Sequence, residues 1–225
     1  SIVERADGCP FMLELLAASE HGDGESTEQA LVDRLAGLSP EARGVLEAVC
    51  LASKPIERAR VALVASADRA TWTAWAALSA ARLIRSTSTH GADAVEPYHD
   101  RIRLAVSTTL DERRRTEIHR RLGDSFAAEP VDAKAAATHY ALAGDTRSAH
   151  PHALAAARVA REMLAFDHAV RSIELALRCA DPGDLAERDQ LELELANTLI
   201  EAGRSAEAAP RLLSLAERRR GLEAL

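Results

Sequence analysis

Apolar residues in the first half of the chain recur at helical spacing. A helix is predicted to begin after Ser39, because serine caps a helix well and Pro40 suits the first turn. Two further short helices follow, each with an apolar face at three- to four-residue spacing. The apolar positions of the three helices are Val45, Leu46, Val49 and Cys50, then Ile56, Ala59 and Leu63, then Trp72, Trp75 and Leu78.

A β-hairpin is predicted directly after these helices. Residues 83–87 are rich in β-branched side chains, Gly91 marks a turn, and residues 95–98 can return as the partner strand. Pro97 cannot donate a backbone hydrogen bond, so we expect its strand at an edge of the sheet. Three helices followed by a hairpin is the order of a winged helix.

The second half of the chain contains a helical repeat. Three turns share a pattern in which glycine or leucine is followed five positions later by alanine: Gly144 and Ala149, Leu164 and Ala169, and Gly203 and Ala208. The small residues let one helix approach another, and glycine can take the left-handed conformation that ends a helix. The predicted fold is therefore all-α with one small β wing, a winged-helix module followed by a tetratricopeptide-like array of helical hairpins. The predicted domains are residues 1–28, 29–108 and 109–225.

Composition and charge narrow the class of partner. The formal net charge is -7, which argues against nucleic acid as the main partner, since a phosphate backbone is held by Lys and Arg. The three cysteines are odd in number and lie in apolar helical contexts, which indicates a reducing, cytoplasmic compartment. No apolar run approaches the roughly 20 residues of a membrane span, so we predict no membrane partner.

The sequence contains no catalytic or metal-binding pattern. It has no Gly-x-x-x-x-Gly-Lys-Ser/Thr phosphate loop and no Gly-x-Ser-x-Gly nucleophile turn. His150 and His152 are two positions apart, so they cannot share one face of a helix as metal ligands. We therefore predict that the chain is not an enzyme and holds no cofactor or metal by itself.

Positive charge is concentrated in residues 101–121, where seven arginines are set against three acidic residues. We predict a basic contact face made of Arg101, Arg103, Arg114 and Arg121. It is interpreted as a solvated helix face or as a contact to another part of a longer protein. If Arg114 lies on such a face, Arg114→Ala is expected to change stability little.

Three stretches resemble a known family. Residues 5–16, Arg-Ala-Asp-Gly-Cys-Pro-Phe-Met-Leu-Glu-Leu-Leu, resemble the lid of signal-transduction ATPases with numerous domains, the STAND class related to AAA modules. Residues 98–103, Tyr-His-Asp-Arg-Ile-Arg, are similar to the winged-helix end of that class. Residues 139–145, His-Tyr-Ala-Leu-Ala-Gly-Asp, are like the start of the helical-repeat sensor of large bacterial regulators, including some fused to Ser/Thr kinases.

The resemblance implies roles for particular residues. In this family the proline of the lid turn approaches the base of bound ADP, and the histidine of the second motif approaches the β-phosphate. By resemblance these roles fall on Pro10 and His99, with Asp100 orienting the histidine. Since the phosphate loop is missing, ATP or ADP would be bound by a longer parent protein, of which we expect this chain to be a piece.

These observations lead to one predicted function and two alternatives. We predict a non-catalytic regulatory and protein-interaction segment of a larger STAND-type signalling ATPase, which couples nucleotide state to a helical-repeat sensor. Its expected partners are a protein effector on the repeats and the adjoining ATPase core. The alternatives are a stand-alone tetratricopeptide-like scaffold and a winged-helix regulator that binds DNA.

Overall fold

The computed structural model describes residues 27–65, 71–89 and 91–223. These residues form eleven helices and one three-stranded antiparallel sheet, and they fall into two compact units divided between Ile118 and His119. The predicted fold class, all-α with one small β-sheet, is confirmed. The predicted segment 1–28 lies outside the described residues except for its last two positions.

The first unit contains short helices followed by a β-hairpin, in the predicted order. Its elements are α1 (Thr27–Ala36), α2 (Pro40–Leu51), β1 (Ile56–Glu57), α3 (Arg58–Ala65), α4 (Thr71–Ala80), β2 (Ile84–Thr89), β3 (Ala92–Pro97) and α5 (Asp100–Thr109). A longer helix, α6 (Glu112–Ala127), begins in this unit and ends in the second. The hairpin of β2 and β3 is the predicted wing.

The start of α2 has the predicted serine cap and first-turn proline. The Ser39 side chain accepts a hydrogen bond from the Ala42 amide at 3.2 Å, and Pro40 occupies the first helical position. The predicted apolar face is buried in the core, including Leu46 and Cys50. Burial raises the pKa of the Cys50 thiol to about 12, so this group stays protonated near neutral pH.

The sheet differs from the prediction in two ways. Ile56 belongs to β1, a two-residue strand paired with β3, and does not lie in the second helix. The strand that ends at Pro97 is central, because the sheet order is β1-β3-β2. Pro97 is tolerated because β1 pairs only as far as Val95. On the other side, the next backbone hydrogen bond is donated by the Tyr98 amide to the Leu83 carbonyl oxygen, just before β2, at 3.0 Å.

The second unit consists of helical hairpins. After α6 it contains α7 (Ala133–Leu142), α8 (Thr146–Glu162), α9 (Phe166–Cys179), α10 (Leu185–Glu201) and α11 (Ser205–Glu223). The first residues of the three predicted turns have φ of 74° at Gly144, 57° at Leu164 and 75° at Gly203. The alanines five positions later are all buried. The predicted hairpin turns are therefore confirmed.

The Tyr140 side chain packs closely against α6 in the second unit. Its ring covers Gly123, where an added Cβ would lie 2.6 Å from the Tyr140 Cδ1 atom. The Tyr140 hydroxyl donates to Asp124 Oδ1 at 2.9 Å, and the ring stacks on His152. Burial and this hydrogen bond raise the pKa of Tyr140 to about 12. Gly123 is thus required for a close approach, because any side chain would displace the ring.

The described residues form neither a membrane span nor a metal site. Within 27–65, 71–89 and 91–223, no helix combines the length and apolar character needed to cross a membrane. Over the same residues, no three His, Cys, Asp or Glu side chains are grouped so that they could hold a metal ion.

Candidate functional site

His99 forms the N-cap of α5. Its backbone is extended, with φ of -148° and ψ of 147°, and its Nδ1 accepts a hydrogen bond from the Arg101 amide at 3.1 Å. A ring nitrogen that accepts carries no proton, so in the neutral imidazole the proton is on Nε2. The helix start therefore holds the His99 ring in one orientation and one tautomer.

The other residues assigned by resemblance lie in different settings. Asp100 is the exposed first residue of α5, and its carboxylate lies 3.9 Å from the Arg103 guanidinium. Pro10 lies outside the described residues. The nucleotide-proximal roles of Pro10, His99 and Asp100 stay predictions.

Arg114, assigned to the basic contact face, is engaged within the first unit. Its Nε and Nη2 atoms both lie 3.0 Å from Glu47 Oε2, a carboxylate on α2 that is nearly buried. Arg101 and Arg103 lie on α5, and Arg121 belongs to the second unit. A role of the four arginines as one contact face stays a prediction.

The second unit contains a buried histidine pair that the sequence pattern did not reveal. His119 and His139 approach with their Nδ1 atoms 3.1 Å apart, and both side chains are buried. Phe126 stacks on His139. One Nδ1 must donate and the other accept, so the two rings carry opposite tautomers. The residues are 20 positions apart, and no local spacing could have paired them.

A groove lies between α8, the start of α9 and α10. Its volume is about 350 Å³. The residues that line it are Arg158, Arg161, Glu162, Leu164, Phe166, Glu194 and Glu201. Arg161 forms ion pairs with Glu194 at 3.3 Å and with Glu201 at 3.4 Å, so these three charged side chains are held together in the wall of the groove. The groove is therefore a mixed surface with fixed charges.

Apolar side chains are exposed at and beside this groove. Met163 is 75% exposed and Leu164 is 73% exposed, and Val159 and Ile200 are also exposed. Leu164 takes the left-handed conformation that the two equivalent turns give to glycine. The sequence pattern identifies this leucine only as a turn residue. A large apolar residue at this turn position is the sequence signal that the turn also forms an exposed apolar surface.

Comparison with known proteins gives a likeness in fold. No protein-family model matches the chain, and no curated protein matches it. Among solved structures, the chain is similar to a STAND protein with a tetratricopeptide repeat sensor from Pyrococcus horikoshii, with a TM-score of 0.63 and 16% sequence identity. The similarity covers 95% of this chain and 31% of that chain, so this chain spans about a third of its length. At this identity the likeness concerns the fold alone.

Proposed function

We propose that the chain is a non-catalytic regulatory segment of a larger cytoplasmic signalling ATPase of the STAND class. The observation that carries this proposal is the likeness in fold to a STAND protein with a tetratricopeptide repeat sensor. The helical hairpins would bind a protein partner, and the first unit would contact the ATPase core of the parent protein.

The groove on the second unit is the proposed partner site. Exposed apolar side chains at Met163 and Leu164 gain most from burial, whereas the paired charges of Arg161, Glu194 and Glu201 form a polar wall. An apolar centre bordered by polar groups is the usual anatomy of a protein interface. The expected partner is a segment that inserts an apolar side chain beside Leu164.

Leu164→Asn tests this site. Asparagine tolerates the left-handed backbone, so the turn is kept while the apolar contact is lost. We expect the affinity for a partner captured by the wild-type chain to fall about tenfold, measured by quantitative pull-down and calorimetry. The melting temperature is expected to stay the same.

Leu185→Asn is the matched control, because Leu185 is similarly exposed and does not line the groove. It is expected to leave partner affinity unchanged. Equal affinity of the wild type and Leu164→Asn for every captured protein would contradict the proposed site.

We also propose that His99 links this segment to the nucleotide state of the parent ATPase. The N-cap that fixes the ring supports the proposal, since in the family that this motif resembles such a histidine approaches the β-phosphate. In the full-length protein, His99→Asn is expected to weaken ADP binding about five- to tenfold, since asparagine keeps the cap and lacks the imidazole.

His99→Ala separates capping from nucleotide contact. It removes both, so it is expected to lower stability by about 1 kcal/mol in addition to weakening ADP binding. Unchanged ADP affinity in His99→Asn, measured by calorimetry, would leave His99 with a capping role alone.

DNA binding is less well supported than protein binding. In a winged helix that binds DNA, the last helix before the wing enters the major groove and needs cations for phosphate. Here that helix is α4, whose ten residues Thr-Trp-Thr-Ala-Trp-Ala-Ala-Leu-Ser-Ala include no charged side chain. Its exposed Trp72 suits contact with protein.

A further inference from the structure

Three basic side chains converge on the surface of the second unit. Lys134 lies in the first turn of α7, and His168 and Arg171 lie in the first two turns of α9. Lys134 Nζ is 2.9 Å from His168 Nδ1, and Arg171 Nη2 is 3.1 Å from the same nitrogen. All three residues are exposed. Two basic side chains therefore contact one ring nitrogen.

Four arginines elsewhere in the unit are paired differently. Arg161, Arg204, Arg211 and Arg218 each pair with a carboxylate. In the part of the chain that the structure describes, neither Lys134 nor Arg171 has a carboxylate partner. The cluster therefore carries uncompensated positive charge.

The acidic residues at the starts of α7 and α9 interact with other groups. The Asp132 carboxylate caps α7 by accepting from the Ala135 amide at 3.0 Å. The Asp167 carboxylate lies 3.3 Å from Arg204. Neither carboxylate pairs with Lys134 or Arg171 in these contacts. The positive charge of the cluster is therefore available to an external anion.

Two further features favour an anion at this place. The Lys134 and Arg171 nitrogens lie within about 6 Å of each other, since both contact one atom, and like charges at that distance repel. Both helices also present their N-terminal, positive ends here. The N-cap residue of α9 is Ala165, which makes no side-chain capping bond. An anion would relieve the repulsion and interact with both helix dipoles.

We propose that Lys134, His168 and Arg171 form a binding site for a phosphoryl dianion. Arginine offers a planar fork of donors, lysine offers a point charge, and the two together match an anion with several oxygens better than a single carboxylate does. On binding, both cations turn from His168 Nδ1 to the anion, and the imidazole adds a third donor when Nδ1 takes up a proton. The phosphoryl group can belong to free phosphate or to a phosphorylated side chain of another protein.

Calorimetric titration at low ionic strength tests the site, with inorganic phosphate and O-phosphoserine as the two probes. We expect saturable binding of at least one probe to the whole chain. Lys134→Gln and Arg171→Gln are each expected to weaken it about tenfold, because each removes a charge-assisted hydrogen bond. Tighter binding of O-phosphoserine identifies a phosphorylated protein as the source, and tighter binding of phosphate identifies the free anion.

Arg178→Gln is the matched control, since Arg178 is an exposed arginine at the other end of α9. It is expected to bind the probe as the wild type does. The imidazole resonances of His168 in the wild type give an independent readout, because they shift when the cations leave Nδ1. Absence of saturable binding to the wild type, or equal affinity of all four proteins, would overturn the site. The site is independent of the groove, so either can fail alone.

Discussion

Leu122→Ala is expected to lower the free energy of unfolding of the second unit by about 2–5 kcal/mol. The Leu122 side chain is 0% exposed, and it shares its face of α6 with buried Ile118 and Phe126. The residues around a fully buried side chain relax only partly, so part of the space left by the leucine is expected to stay open and to add to the cost.

Urea denaturation followed by circular dichroism measures this change. Leu142→Ala is the control, because Leu142 ends α7 in the same unit with an exposed side chain. It is expected to change the free energy of unfolding by less than about 0.5 kcal/mol. Equal losses for the two variants would show that the buried face of α6 is placed incorrectly.

Arg114→Ala is expected to destabilise the first unit by about 1–3 kcal/mol. From the sequence, little change is expected if Arg114 lies on a basic contact face. The structure places it against Glu47, which is only 8% exposed. Without the guanidinium, the Glu47 carboxylate stays nearly buried and loses its charged partner. An unpaired buried charge lowers the stability of the folded state. Because Arg114 itself is partly exposed, solvent moderates the loss.

A double-mutant cycle with Glu47→Gln isolates the pair. The double variant is expected to lose less stability than the sum of the single variants, since the buried charge is then absent. Arg113→Ala is the neighbouring control, because the Arg113 side chain is exposed, and it is expected to be neutral. Strict additivity in the cycle would contradict a stabilising contact between Arg114 and Glu47.

Local signals explain the parts of the fold that could be predicted. A cap at Ser39, a proline at position 40 and left-handed turns at Gly144 and Gly203 each depend on residues within one turn of each other. The hairpin was also predictable, since its two strands are neighbours in sequence. Each of these features depends on the backbone preferences of a few neighbouring residues, and those preferences can be recognised in the sequence.

Pairings between distant residues could not be predicted. Strand β1 has two residues, too few to show alternation, and it exists only because β3 pairs with it from the far side of the hairpin. The Arg114–Glu47 contact joins residues 67 positions apart. The cluster at His168 needs the start of α7 beside the start of α9, which follows from helix packing and from no local pattern.

Leu164 has a consequence for how such repeats are counted. The turn requires a left-handed backbone, and glycine meets that requirement at two of the three equivalent positions while leucine meets it at the third. A repeat definition that demands glycine here would count two hairpin turns in this chain and would join α8 and α9 into one unexplained segment. Defined by the backbone angle and by the buried alanine five positions later, the array is continuous through all three turns.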